Sequence, residues 1–222
     1  MVWVWDWIPR NTSLISTLLV EHVQLSLVPV VVGLVVAVPL GWLANHTRVA
    51  RSVLIPTSGL LYTIPSLALF VLLPGLLGLQ VSNSLNVIIA LALYTVALLV
   101  RSIADALAAV PAMVVAAATA MGFRPGRRFV AVELPLAVPV LIAGLRVATV
   151  SNISLVSVGA LIGNGGLGEL FTDGIQRSNI VEIITGIVLI VVLALAADAV
   201  LLGIGRVATP WNRVGSGSGG GA

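Results

Sequence analysis

The sequence predicts an all-α integral membrane protein of about five transmembrane helices, with its N-terminus outside and its C-terminus inside. Three observations lead there. Hydrophobic residues make up 59% of the 222-residue chain and charged ones 9%, against about 25% charged in soluble domains. The apolar sequence is divided into five stretches, four of them long enough to cross a ~30 Å hydrocarbon core outright. Arginines collect in alternate breaks between the stretches, as expected if basic loops stay on the cytoplasmic side.

Composition also excludes several kinds of chemistry. There is no cysteine, so disulfides, iron–sulfur clusters and thiol catalysis are ruled out, and compartment cannot be read from redox. His22 and His46 have no metal-ligand spacing, so no metal site is expected. All the basic residues are arginine, and the net charge of +3 is small despite a pI near 10.6. The arginines therefore read as topology signals and not as a nucleic-acid surface.

In chain order, residues 1–20 carry Trp3, Trp5 and Trp7 around Asp6, followed by Pro9, Arg10 and Asn11. Tryptophans beside polar residues suit a membrane interface, and no basic n-region with an apolar core and cleavage site marks a signal peptide. Residues 21–213 form the transmembrane domain. Its first span is expected from about His22 to Ala44, ending at Asn45-His46-Thr47-Arg48. The second runs from about Val53 to Leu77 and contains Pro56, Pro65 and Pro74, which should kink it. Tyr62, Thr63 and Ser66 flank Pro65. They either satisfy carbonyls freed by the proline or line a polar path. The third span, about Leu85 to Val100, ends in Arg101 and Asp105, an i,i+4 pair.

A polar interruption from Val110 to Pro135 follows. Pro111 suits a first helical turn, Ala116, Ala117, Ala118 and Met121 favour a helix, and Gly122 suits the C′ position. A basic turn with Arg124, Arg127 and Arg128 comes next, then Glu133, Leu134 and Pro135. The expectation is a short helix lying across one membrane face, exposed to a partner, or an ordinary basic loop.

The fourth span, about Leu136 to Gly159, contains Arg146 deep within it, together with Ser151, Asn152, Ser154 and Ser157. A charge at that depth must face the bundle interior with a partner; Glu133, Asp105 or free carbonyls are the candidates, and substrate contact is the other reading. Gly163, Gly165, Gly166 and Gly168 satisfy a dinucleotide-type G-x-G-x-x-G pattern. The pattern needs a βαβ setting, so a tight turn or gate near the outer surface is expected instead. The last span, about Ile183 to Gly205, carries Asp198, and residues 214–222 are a flexible Gly/Ser tail, native or added.

Arg48, Arg51, Arg101, Arg124, Arg127, Arg128, Arg206 and Arg213 fall on one side of this five-span topology, Arg10 and Arg177 on the other. The Ala-rich helix is thereby placed in the cytoplasm.

The order Pro111, Ala117-Ala118, Met121-Gly122 and Leu134-Pro135 resembles the E-A-A loop of binding-protein-dependent ABC importer permeases, with Ala116 where that loop carries its acidic residue. Thr63-Ile64-Pro65-Ser66-Leu67-Ala68 resembles a segment of osmoprotectant permeases, and Ile162 to Gly168 resembles the glycine turn after their fourth span. The resemblance implies a bacterial cell-membrane permease whose loop is a coupling helix for a cytoplasmic ABC ATPase dimer. It further implies a second permease subunit, identical or related, and an extracytoplasmic solute-binding protein. ATP and Mg would be bound by the ATPase, no cofactor by this chain. The solutes implied are glycine betaine, carnitine, choline or related quaternary amines. Tyr62, Thr63, Pro65, Ser66, Phe70, Tyr94 and Asn152 are then candidates for the translocation path, the aromatics through cation–π contact. Alternatives are an importer of another small solute, such as methionine or a phosphonate, and a channel or scaffold subunit without an ATPase. No nucleophile–base pair points to an enzyme.

Overall fold

A computed structural model describes residues 4–213; Trp3 and the 214–222 tail lie outside the described residues. Among these the chain is helical throughout, without strands. A short helix α1 (Val4–Arg10) leads into α2 (Thr12–His46). Trp7 packs against the cluster of Leu18, Ile153, Leu167, Leu170 and Ile190. With 35 residues, α2 starts ten positions before the expected span; its length of about 52 Å exceeds the ~30 Å hydrocarbon core. Thr47 ends α2 and opens α3 (Arg48–Thr63): its N–H bonds the Leu43 carbonyl and its hydroxyl accepts from the Ala50 N–H at 3.2 Å.

The expected second span is broken in two. α3 and α4 (Ser66–Leu77) meet at 104° across Ile64 and Pro65, both in extended conformation. A residue before proline is pushed out of the α region, and Pro65 cannot donate to the preceding turn. The Tyr94 hydroxyl donates to the Ile64 carbonyl that the break leaves open. Pro56 and Pro74 remain inside helices, so of three evenly spaced prolines only the middle one breaks the span. Gly78, at φ +68°, ends α4.

Next, α5 (Ser84–Ala108) is capped by Asn83, whose side chain accepts from the Leu85 N–H at 2.9 Å. It extends beyond the expected end at Val100 and is the most enclosed of the long helices. Gly33 of α2 lies against Ala92 and Thr95, and Gly41 against Val100 and Ile103. The two contacts advance together along both helices, so α2 and α5 run parallel. The intervening chain must therefore return across the membrane, and the bent α3–α4 pair makes that crossing. Five crossings result, one of them broken.

Two short helices follow at the far end of α5, α6 (Ala112–Ala120) and α7 (Pro125–Arg128), then a π turn over Phe129–Glu133 and the long α8 (Leu134–Gly159). The π turn precedes Pro135, whose missing N–H disturbs the regular ladder there. α8 is antiparallel to α5: Gly144 sits against Ser102, Asn152 against Thr95 and Gly159 against Val87. After α9 (Glu169–Gln176), α10 (Ile180–Ala208) runs back along α8, with Gly205 beside Ile142 and Asp198 bonded to Arg146. Arg48, Arg51, Arg101, Arg124, Arg127, Arg128 and Arg206 thus gather at one end of the bundle, and Arg10 and Arg177 at the other.

A Cβ at Gly33 would meet Thr95 carbon atoms at 2.5 Å, whereas one at Gly59 would meet nothing within 4 Å. Gly33→Ala should therefore destabilise the detergent-purified protein by about 1–3 kcal/mol, lowering Tm by several degrees. Gly59→Ala, on the exposed part of α3, should leave Tm unchanged or slightly higher; equal melting of the two variants would contradict the close α2–α5 packing.

Candidate functional site

At the arginine-rich end, α6 projects from the bundle. Pro111 precedes it, and Gly122, at φ +84°, terminates it as the sequence predicts. Ala118 is buried beneath the helix at 1% exposure. Met113, Ala116, Ala117, Ala120 and Met121 are exposed, and their i, i+3, i+4, i+7, i+8 spacing makes one apolar stripe. Met113 at 83% and Met121 at 70% exposure stand at its two ends. Arg124 and Arg127 are exposed beside it, and the Arg127 guanidinium lies 5.1 Å from the Phe123 ring centre.

Arg128 is a connector. Its Nε donates to Glu133 Oε1 at 2.5 Å and its Nη1 donates to Thr119 Oγ1 at 2.8 Å, tying the last turn of α6 to the foot of α8. Glu133 is buried, while Leu134 and Pro135 are half-buried at the start of α8. The residues of the 110–135 stretch that resemble the E-A-A loop therefore sit in one contiguous unit. Neither Met113 nor Thr119 was singled out from the sequence; the exposed stripe at helical spacing and the single hydroxyl in the Ala run were the available signals.

The path candidates separate into two groups. Tyr62 is 44% exposed, and its ring makes an edge-on contact with Tyr94 at 5.7 Å between centroids. Pro65 is exposed and Ser66 half-buried at the break; the Thr63 hydroxyl donates to the Leu60 carbonyl at 2.7 Å. Tyr62 shares a cleft of about 320 Å3 with Val150, Ser151, Ser154 and Leu155 of α8. By contrast Phe70 and Tyr94 are buried, at 0% and 5% exposure, in the cluster with Leu25, Val87, Leu91 and Val156.

Asn152 is also closed off, at 1% exposure. Its Nδ2 donates to Thr95 Oγ1 at 2.9 Å and lies 3.5 Å from the Ser26 carbonyl, joining α8, α5 and α2. Next to it, His22 Nε2 meets the Ile153 carbonyl at 2.9 Å and Ser26 donates to the His22 carbonyl at 2.7 Å. In this conformation the Asn152 amide is taken up by helix packing and presents no surface to a path.

Arg146 finds a partner outside the expected set. Neither Glu133 nor Asp105 reaches it; Glu133 accepts from Arg128, and Asp105 accepts from Arg51 at 3.0 Å and lies 3.8 Å from the Arg101 guanidinium. Instead Arg146 donates through Nε and Nη2 to both oxygens of Asp198, at 2.7 and 2.6 Å. The spans carrying them are remote in sequence, and the signal missed was that each is a lone charge well inside an apolar segment.

The glycine turn is packed at the opposite end. Gly163 has φ +84° and Gly166 φ +48°. A Cβ on Gly166 would lie 2.7 Å from the His22 backbone, and one on Gly168 would lie 2.6 Å from the Ser157 Cα. A Cβ on Gly165 would meet Ala160 at 2.4 Å. Asn164 donates to the Ser82 carbonyl and accepts from Ser84 Oγ. The turn thus pins the outer ends of α2, α5 and α8 together. Among the described residues no group of three His, Cys, Asp or Glu side chains could hold a metal.

Known proteins resemble this chain in sequence and in overall fold. The osmoprotectant import permease protein OsmW of Salmonella typhimurium is 34% identical over 90% of this chain and 94% of its own length. The choline transport system permease protein OpuBB of Bacillus subtilis is 33% identical over 86% of each. An ergothioneine transport permease/ergothioneine binding protein of Helicobacter pylori is 38% identical over 74% of this chain, which spans only 29% of that longer protein. The fold matches a chain of the MetNI methionine ABC transporter in an inward-facing conformation, with TM-score 0.75, 25% identity and coverage of 86% of this chain and 94% of the other. Residues 30–213 match the family described as binding-protein-dependent transport system inner membrane component. With that match covering most of the transmembrane bundle, the chain belongs to this family of membrane permeases.

Proposed function

We propose that this chain is the transmembrane subunit of an ATP-driven importer for compatible solutes such as glycine betaine, carnitine or choline. The observation that carries the coupling role is the exposed Met–Ala stripe of α6, projecting at the arginine-rich end and linked through Arg128 and Glu133 to α8. The positive-inside rule puts that end in the cytoplasm. A cytoplasmic ATPase dimer grips α6 there, and its closure is passed to α8 and the cleft beside Tyr62. The chain lacks lysine and so any G-x-x-x-x-G-K-[ST] phosphate loop; ATP and Mg are held by the ATPase. An extracytoplasmic binding protein delivers the solute. A second permease, a copy or a relative, completes the pore, since five crossings in one chain are few for a channel through the bilayer.

Ala116 stands at the acidic position of the resembling loop, so contact with the ATPase rests on apolar packing at that point and not on an ion pair. The solute class is supported by the names of relatives at 33–34% identity over most of the chain. Transport of methionine is the second reading, supported by the methionine transporter among its structural neighbours.

Three outcomes test this. Phe123→Cys, in a chain that has no other cysteine, should react with a membrane-impermeant thiol reagent only from the cytoplasmic side; labelling from outside would invert the topology. Gly122→Val places a branched residue at φ +84° and should cut glycine betaine uptake by roughly tenfold or more while ATP hydrolysis by the purified complex persists. Wild-type uptake in that variant would remove α6 from the coupling. Tyr62→Ala should lower the rate or affinity of radiolabelled uptake in proteoliposomes, and unchanged kinetics would take Tyr62 out of the path.

A further inference from the structure

The Arg146–Asp198 pair joins the middle of α8 to the inner half of α10, yet it is not sealed in the core. The two side chains remain 33% and 30% exposed. Together with Val147, Val150 and Ser151 they line an open cleft of about 440 Å3, a size suited to a small solute. Val150 and Ser151 also line the cleft that holds Tyr62 and Ser154. One continuous face therefore runs from the ion pair, past two serines, to an exposed aromatic ring. Ion pairs at this depth face protein or a water-filled cavity and not lipid.

The charge pattern of the face selects among solutes. Its two charges cancel, and each carboxylate oxygen of Asp198 receives one guanidinium N–H. A solute with a single charge could satisfy one member of the pair only by leaving the other uncompensated within an apolar span, which is strongly unfavourable. A zwitterion replaces one ion pair by two. We propose that Arg146 and Asp198 form a charge-exchange subsite for zwitterionic solutes on the translocation path: Arg146 receives the solute's carboxylate while Asp198 turns to its cationic group, with Tyr62 at the far end of the same face. The inference rests on the import reading above, narrows it to its zwitterionic members, glycine betaine and carnitine, and assigns them a place within the membrane subunit itself.

The test uses the assembled transporter in proteoliposomes. Ser151→Cys should react with a hydrophilic thiol reagent roughly tenfold faster than Val192→Cys, a control on the exposed apolar surface of α10. Glycine betaine added on both sides should slow the Ser151→Cys reaction, and choline, which has no carboxylate, should not. An unreactive Ser151→Cys, or equal protection by the two solutes, would overturn the proposal. In parallel, Arg146→Met combined with Asp198→Leu replaces the pair by apolar groups, a change that commonly preserves folding. That variant should assemble and hydrolyse ATP while glycine betaine uptake falls by roughly tenfold or more; uptake within about twofold of wild type would overturn the subsite. Should it fail to assemble, the thiol-protection result alone decides. A wild-type complex that imports no osmoprotectant sinks the import reading, whereas a working wild type with an equally active pair variant sinks only the subsite.

Discussion

Hydrocarbon offers no hydrogen bonds, so backbone polar groups at membrane depth must be matched inside the protein, and buried polar side chains gain by finding partners there. That constraint organises the helix packing. The Asn152 amide joins α8 to Thr95 of α5 and to the Ser26 carbonyl of α2, and beside it His22, one turn before Ser26, meets the carbonyl of the adjacent Ile153. Where the backbone ladder fails at Pro65, a tyrosine hydroxyl from α5 takes the freed carbonyl. Where two charges enter the membrane, they find each other across α8 and α10. These polar links fix which helix faces meet, while glycines such as Gly33 and Gly41 let the backbones approach closely enough for the links to form.

The same packing gives a mechanical route from one end of the molecule to the other. Arg128 bonds both the last turn of α6 and Glu133 at the foot of α8. From there α8 is an unbroken helix through Arg146, Ser151 and Asn152 up to the glycine turn that pins the outer ends. The links join α6 to a single long helix that carries both the open cleft and the buried polar link, the route by which the proposed coupling would act. The bent α3–α4 pair meets this helix along the same face, through Tyr62 at the shared cleft.

Much of this was legible in the sequence, because the bilayer imposes length, polarity and charge rules that act locally. The number of crossings, the sidedness of the arginines and the glycine that ends α6 all follow from such rules. The helix ends were less legible: α2 starts at Thr12 and α5 continues to Ala108, since amphipathic turns extend a helix past the apolar stretch. Three prolines in the second span predicted irregularity, but not which one breaks it; at the break the freed Ile64 carbonyl is met by Tyr94, thirty residues away in sequence. The partner of Arg146 was likewise hidden, because pairing across α8 and α10 is a property of the packed bundle. Asn152 looked like a path residue by polarity alone; burial at 1% shows the helix junction it serves.

The stripe from Met113 to Met121 has a thermodynamic corollary. A surface of methionine and alanine binds by releasing water, and such association carries a large negative heat-capacity change and weakens as temperature falls. Methionine's flexible thioether also lets it settle into grooves of differing shape. Under the coupling role proposed above, such a contact would tolerate variation in the motor's groove and would weaken on cooling.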